Sequence, residues 1–153
     1  MSAIQDRLEA LGLTLPDAPA PAANYVPFVQ VGPLLHVSGQ ISARDGALIT
    51  GKLGADLDVE QGAEAAKCCA LSLLAQARAA CDGDLDRVQR LVKLVGFVNS
   101  TPEFDQQPAV INGASDLMVE VLGDAGRHAR SAVSAASLPF GVAVEIEAIF
   151  QIR

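Results

Sequence analysis

Residues 130–153 read Arg-Ser-Ala-Val-Ser-Ala-Ala-Ser-Leu-Pro-Phe-Gly-Val-Ala-Val-Glu-Ile-Glu-Ala-Ile-Phe-Gln-Ile-Arg, and this stretch decides the fold. Val142, Val144, Ile146, Ala148, Phe150 and Ile152 alternate with Ala143, Glu145, Glu147, Ile149, Gln151 and Arg153. That is the period-two pattern of a strand with one apolar face. Leu138-Pro139-Phe140-Gly141 separates it from a second extended run, Ser131 to Ala136. Arg130 heads the first run, and Glu145 and Glu147 stand along the second. Charges of both signs are therefore fixed to a sheet rather than to a loop.

Working outward, Val88 to Asn99 is nearly continuous in apolar residues, broken mainly by Arg90 and Lys93, and reads as a central strand. Thr101-Pro102 predicts an N-cap and first-turn proline for a helix that Val110, Ala114, Leu117, Met118 and Val121 carry to about Leu122. Asp58 to Ala80 is the longest helical pattern, with Asp58 as its cap and a face rich in alanine. Earlier, strands are expected over Tyr25–Val31 and Leu34–Ser38, and Asp45-Gly46 marks a hairpin turn. Ile4 to Leu11 predicts a short amphipathic helix packed on the outside, followed by a proline- and alanine-rich tether. The order is strands, long helix, strand, helix, strand, strand. One sheet carrying both helices on a single face satisfies it, an α+β architecture. The expected division is a helix and tether over residues 1–24 and a single domain over 25–153.

With 153 residues and 50% hydrophobic side chains, the chain is long enough for one domain with a sizeable core. A formal charge of −7 and the lack of any Lys/Arg cluster argue against a nucleic-acid partner. No apolar run approaches the roughly 18–20 residues of a membrane span, so no membrane partner is expected and the site of action reads as cytoplasmic. Three cysteines, two of them adjacent, suit reduced thiols rather than a disulfide framework. Small side chains dominate and each buries little area, which favours self-association as a source of stability.

Arg130 offers a rigid fork that can hold a substrate carboxylate, or it can close a strand-end salt bridge. Glu145 and Glu147 share a strand face about 7 Å apart. One of them could orient a water or shuttle a proton, or both could face solvent. Asn112 could donate to a bound carboxylate or carbonyl, and Ser38-Gly39 ends a strand where a ligand could approach the backbone. His36 and His128 are the only histidines, and His36 reads as a packed or hydrogen-bonded imidazole. No His/Cys/Asp/Glu group has metal-ligand spacing, and glycine-rich phosphate loops are missing, so neither metal nor organic cofactor is expected. Cys81, at a helix end, is the one thiol placed to be reactive.

Taken together, several motifs resemble, in order and spacing, the Rid (YjgF) family of reactive enamine/imine deaminases. They are Pro27-Phe28-Val29-Gln30, Leu35-His36-Val37-Ser38-Gly39-Gln40-Ile41, Asn112, Arg130-Ser131, Leu138-Pro139 and Val144-Glu145-Ile146-Glu147-Ala148. The resemblance implies a chorismate-mutase-like α+β fold, a mixed sheet with two helices on one face, assembled as a homotrimer with sites in the clefts between subunits. It implies Arg130 as the anchor of a small 2-imino or enamine acid and Glu145 as the group that orients the attacking water. Asn112 would line the cleft, with Ser38 and Gly39 as its floor. Phe28 stands where the family has a cleft tyrosine, and Ala132 where it has a cysteine. His128 and the loop from Gly123 resemble a longer subgroup with an N-terminal extension, and would add His128 to the ligand-binding residues. Two functions remain open at this level: hydrolytic deamination of 2-aminoacrylate-type acids to 2-keto acids and ammonia, or a non-catalytic trimeric module that binds a small carboxylate.

Overall fold

In the computed structural model, which describes residues 2–20 and 23–153, the alternating run near the C-terminal end forms the middle strand of the main sheet. The strands in chain order are β1 (Phe28–Val31), β2 (Leu34–Ile41), β3 (Ala43–Arg44), β4 (Ala47–Leu48), β5 (Val88–Asn99), β6 (Ala129–Ala135) and β7 (Val144–Ile152). The main sheet has the order β1-β2-β7-β5-β6, and β3-β4 is a separate hairpin. All main-sheet pairings are antiparallel except β5 with β6. A parallel step needs a crossover, which α3 (Gln107–Leu122) provides.

Helices α2 (Val59–Ala80) and α3 cover one face of the sheet. Against them lie Val144, Ile146, Ala148, Phe150 and Ile152 of β7, Leu35 and Val37 of β2, and Leu91, Leu94 and Val98 of β5, all buried. The alternate residues face away from the helices. Two glycines set how closely the layers approach. A Cβ on Gly113 would collide with the Ala63 carbonyl of α2, and one on Gly96 would collide with the Ile111 side chain. The fold is the α+β arrangement expected, with one addition. Helix α1 (Ala3–Ala10), expected as an external appendage, buries Leu8 in the common core at 1% exposure.

Several boundaries differ from expectation for physical reasons. Strand β1 starts at Phe28 rather than Tyr25, since Pro27 has no N–H to give to a ladder. Strand β2 runs on through Gly39 to Ile41 by way of an irregularity between Val37 and Gln40. Thr101-Pro102 forms a turn, and the following helix begins only at Gln107, with Pro108 in its first turn. The cap of α2 is as expected: Asp58 accepts from the Gln61 N–H at 2.8 Å and the Gln61 side chain accepts from the Asp58 N–H at 3.0 Å. Asp45 and Gly46 take the left-handed φ values of 52° and 81° that the β3-β4 turn requires. Of the tether, residues 21–22 lie outside the described residues, as does Met1 of the N-terminal segment.

Helix α1 is fastened by Asp86, in the turn before β5. Its carboxylate accepts from Ser2 Oγ at 2.8 Å, from the Ala3 N–H at 2.9 Å and from the Ile4 N–H at 3.1 Å. The Ser2 bond first, then the two amide bonds, hold the Asp86 carboxyl below its usual pKa. A depressed carboxylate contributes stability that is present above the unfolded pKa and lost as pH falls through the folded value. Hydrogen exchange at Ala3 and Ile4 should therefore accelerate below the ordinary carboxylate range while β7 stays protected. Asp86→Ala should show that fast exchange already at neutral pH; unchanged protection of α1 in the variant would show that Leu8 alone holds the helix.

Candidate functional site

Arg130 is the second residue of β6 and stands opposite Leu94, whose side chain is buried under the helices. Its own side chain therefore leaves the sheet on the helix side and meets α3. Nη1 donates to Asn112 Oδ1 at 2.8 Å and to Ser115 Oγ at 3.2 Å. Asn112 and Ser115 are three apart on the helix, the spacing that puts two side chains on one face. Ser115 Oγ lies 2.9 Å from His128 Nε2, and His128 Nδ1 lies 2.6 Å from the Gly126 carbonyl. A carbonyl can only accept, so the Nδ1 position carries the proton. In the tautomer with that proton, Nε2 can accept from the Ser115 hydroxyl, and Ser115 Oγ accepts from Arg130.

This chain of bonds holds one corner of the guanidinium. Nη2 and Nε donate no hydrogen bond to the described residues, and none of the described ion pairs involves Arg130. The strand-end salt bridge is thus not what Arg130 makes. Its free edge has the two parallel donors that suit a carboxylate. It opens on a shallow hollow of about 300 Å³ also lined by Asp116, Val119 and Arg127.

Glu145 occupies a second hollow, at the irregular end of β2 where Ser72 of α2 also reaches the lining. Its neighbours Val144 and Ile146 point into the core, so Glu145 points away from the helices. Gly39 makes room for it: a Cβ there would stand 2.7 Å from Glu145 Oε2. The bulged backbone beneath is pinned by Gln40, whose Nε2 donates to the Ser38 carbonyl at 2.9 Å, and Ser38 Oγ donates to the Val26 carbonyl at 2.8 Å. The hollow measures about 470 Å³ and is otherwise mainly apolar. Burial pushes the Glu145 carboxyl up, the charge on Glu147 pushes it further, and no hydrogen bond from the described residues offsets either.

Of the expected site residues, Arg130, Asn112 and His128 meet in the first hollow, and Ser38, Gly39 and Glu145 in the second. Phe28 lines neither. It pairs with Val37, shares that residue's inward direction and packs on the core. Tyr25, three residues earlier, lines the Glu145 hollow instead. His36 is exposed on the helix-free face rather than packed. Cys81 is fully buried with its thiol pushed up by burial, the opposite of a reactive cysteine. Among the described residues no His/Cys/Asp/Glu group could hold a metal ion. Ser115 is the member the sequence did not announce, although its position three residues after Asn112 is a usable signal.

The two hollows do not meet within one chain. Arg130 stands opposite Leu94, Leu94 opposite Ala148, and Glu145 lies three residues along β7 from Ala148. Two strand spacings and three residues along the strand put their backbones roughly 14 Å apart. The side chains then leave on opposite faces.

The sheet thus carries an arginine with a free donor edge at one margin and, on its other face, a glutamate with no hydrogen-bond partner among the described residues. Residues 5–148 match the family described as "YjgF/chorismate_mutase-like, putative endoribonuclease", and the chain belongs to this family, also called Rid. It is 54% identical over 148 residues to protein TCP17 of Trypanosoma cruzi, covering 95% of this chain and 92% of that one. The solved structure of Atu1372 from Agrobacterium tumefaciens, a protein of unknown function, is similar at 53% identity and a TM-score of 0.92, over 98% of this chain and 92% of that one. TdcF of E. coli, solved with bound serine, is 27% identical with a TM-score of 0.61, over 89% of this chain and 93% of that one.

Removing the Ser115 hydroxyl should leave Arg130 held by Asn112 alone. Titration calorimetry with pyruvate should show about a 3- to 10-fold loss of affinity for Ser115→Ala, the size of one ordinary hydrogen bond. An unchanged affinity would mean that the relay from His128 does not orient the guanidinium.

Proposed function

We propose that this protein hydrolyses small reactive 2-imino and enamine acids to 2-keto acids and ammonia. The observation that carries the proposal is a pair of groups with unused capacity: a guanidinium held at Nη1 with its other edge free of described partners, and a half-buried carboxylate whose proton affinity is raised. Arg130 holds the substrate carboxylate. Glu145 orients a water and takes its proton as the oxygen attacks the imine carbon. The resulting carbinolamine regains that proton at nitrogen; its C–N bond then breaks to release ammonia while the hydroxyl proton passes to Glu145 and the C=O bond forms. Positioning and charge complementarity supply the rate.

Because Arg130 and Glu145 leave the sheet on opposite faces, the proposal requires a neighbouring subunit. A homotrimer that sets the Arg130 edge of one copy against the Glu145 face of the next would close each cleft. The helix-free side supports this, since Val29, Val31, Leu34 and Val133 are exposed there. Serine bound to TdcF is a small amino acid of the size such a cleft would hold. No helix among the described residues is long and apolar enough to cross a membrane, and we place the reaction in the cytoplasm. A trimeric module that binds the same acids without turnover is the second reading, and Glu145 separates the two.

Ammonia release from freshly generated 2-iminopropionate is the test. Arg130→Ala and Glu145→Gln should each abolish turnover. Trimers mixed equally from the two variants should regain about a quarter of the wild-type sites, because Arg130 of one copy then meets Glu145 of another. Failure to complement would overturn the shared cleft, and no wild-type turnover with Arg130-dependent binding would favour the module.

The pH profile offers a separate check. Negative charge on Glu147 raises the Glu145 pKa, so Glu147→Gln should lower it. The acid limb of kcat/KM should then move to lower pH, and a limb that stays put would remove Glu145 as the titrating base.

A further inference from the structure

We infer that the Glu145 hollow is the side-chain pocket of the site, built for 2-imino acids with a long apolar or aromatic substituent, and that part of the N-terminal tether is its wall. This rests on the deaminase reading of Glu145 and deepens it. A hollow of about 470 Å³ falls in the range of ordinary ligand pockets and far exceeds what the methylene of 2-aminoacrylate fills. Pro19, Tyr25, Ile41, Leu48 and Phe140 supply apolar surface around the single carboxylate.

The wall is fastened rather than incidental. Gln76 of α2 is 1% exposed, and its Nε2 donates to the Pro19 carbonyl at 2.7 Å. A buried amide committed to a tether carbonyl fixes the segment over the pocket. On the opposite rim, Phe140 holds a left-handed φ of 58° and is 68% exposed. Backbone bonds from the Gly141 N–H to the Leu138 carbonyl at 3.0 Å and from the Val142 N–H to the Pro139 carbonyl at 3.2 Å keep that turn in place. A bulky aromatic in a conformation that favours glycine, with its ring in solvent, is surface awaiting cover. An apolar substituent on the substrate would cover it.

Each buried methylene is worth about fourfold in affinity, so the three extra carbons of a leucine-derived imino acid should raise kcat/KM at least about tenfold over the alanine-derived one. The experiment uses the full chain and imino acids generated from alanine, leucine and phenylalanine by an amino-acid oxidase. In parallel, calorimetry compares pyruvate with 4-methyl-2-oxopentanoate. The expected result is a ratio of at least about ten in favour of the leucine- and phenylalanine-derived substrates, collapsing toward one in Phe140→Ala and in Tyr25→Ala. Equal kcat/KM across the series, or a ratio that survives both substitutions, would overturn the pocket. So would dissociation of the oligomer by Phe140→Ala in sedimentation, which would make the ring a subunit contact. No turnover of any imino acid would overturn the deaminase reading alone. The calorimetric ratio would then decide the pocket: a preference for the longer keto acid supports it and equal affinities overturn it.

Discussion

The backbone of α3 lies against the backbone of α2 at one point, Gly113 over the Ala63 carbonyl, and the site depends on that contact. A methyl group there would have to push the two helices apart, and overpacking of this kind costs about 1–3 kcal/mol. Gly96 repeats the constraint beneath the helix, where Ile111 fills the space a side chain on β5 would take. Close-packed layers transmit such displacements instead of absorbing them. Asn112 and Ser115 flank Gly113, so the residue that sets the height of α3 also sets where Arg130 finds its partners.

The sheet acts as a partition between groups of opposite charge. At contact distance, Arg130 and Glu145 would attract by roughly 4 kcal/mol near a protein surface and would neutralise each other. Placed on opposite faces, they do not pair with each other. The arginine keeps a free donor edge, and the glutamate keeps a raised proton affinity from burial and from Glu147. The helices produce this asymmetry by covering one face only. The face they leave uncovered carries Glu145, Glu147 and His36 beside the exposed Val29, Val31, Leu34 and Val133.

The sheet was legible wherever one face is buried, because the alternation of β7 and the apolar run of β5 follow from that burial. Helix α2 was equally plain from its aspartate cap and apolar period. Arg130, Glu145, Asn112, Ser38 and Gly39 were legible as candidates from family motifs. Their division between two hollows was not, since it depends on strand register and on which face the helices choose. Phe28 shows the limit of reading one motif position: Pro27 delays the strand, pairing with Val37 turns the ring inward, and Tyr25 reaches the hollow instead. Ser115 and the Gln76 anchor escaped because a lone polar residue on a helix has no pattern until its partner, far away in the chain, arrives.

Strand β7 joins β2 to β5, and its partners Ile41 and Glu145 are more than a hundred residues apart in the chain. Such distant pairings require long loops to close, so residues 142–152 gain both neighbours only once distant parts of the chain meet. Glu145 and Glu147 are the only charges in that run. Apolar β segments of this kind assemble with copies of themselves unless charge interrupts them. The two carboxylates that stand on the open face of the finished sheet are thus also gatekeepers, keeping the unfinished chain from aggregating before β2 and β5 close on it.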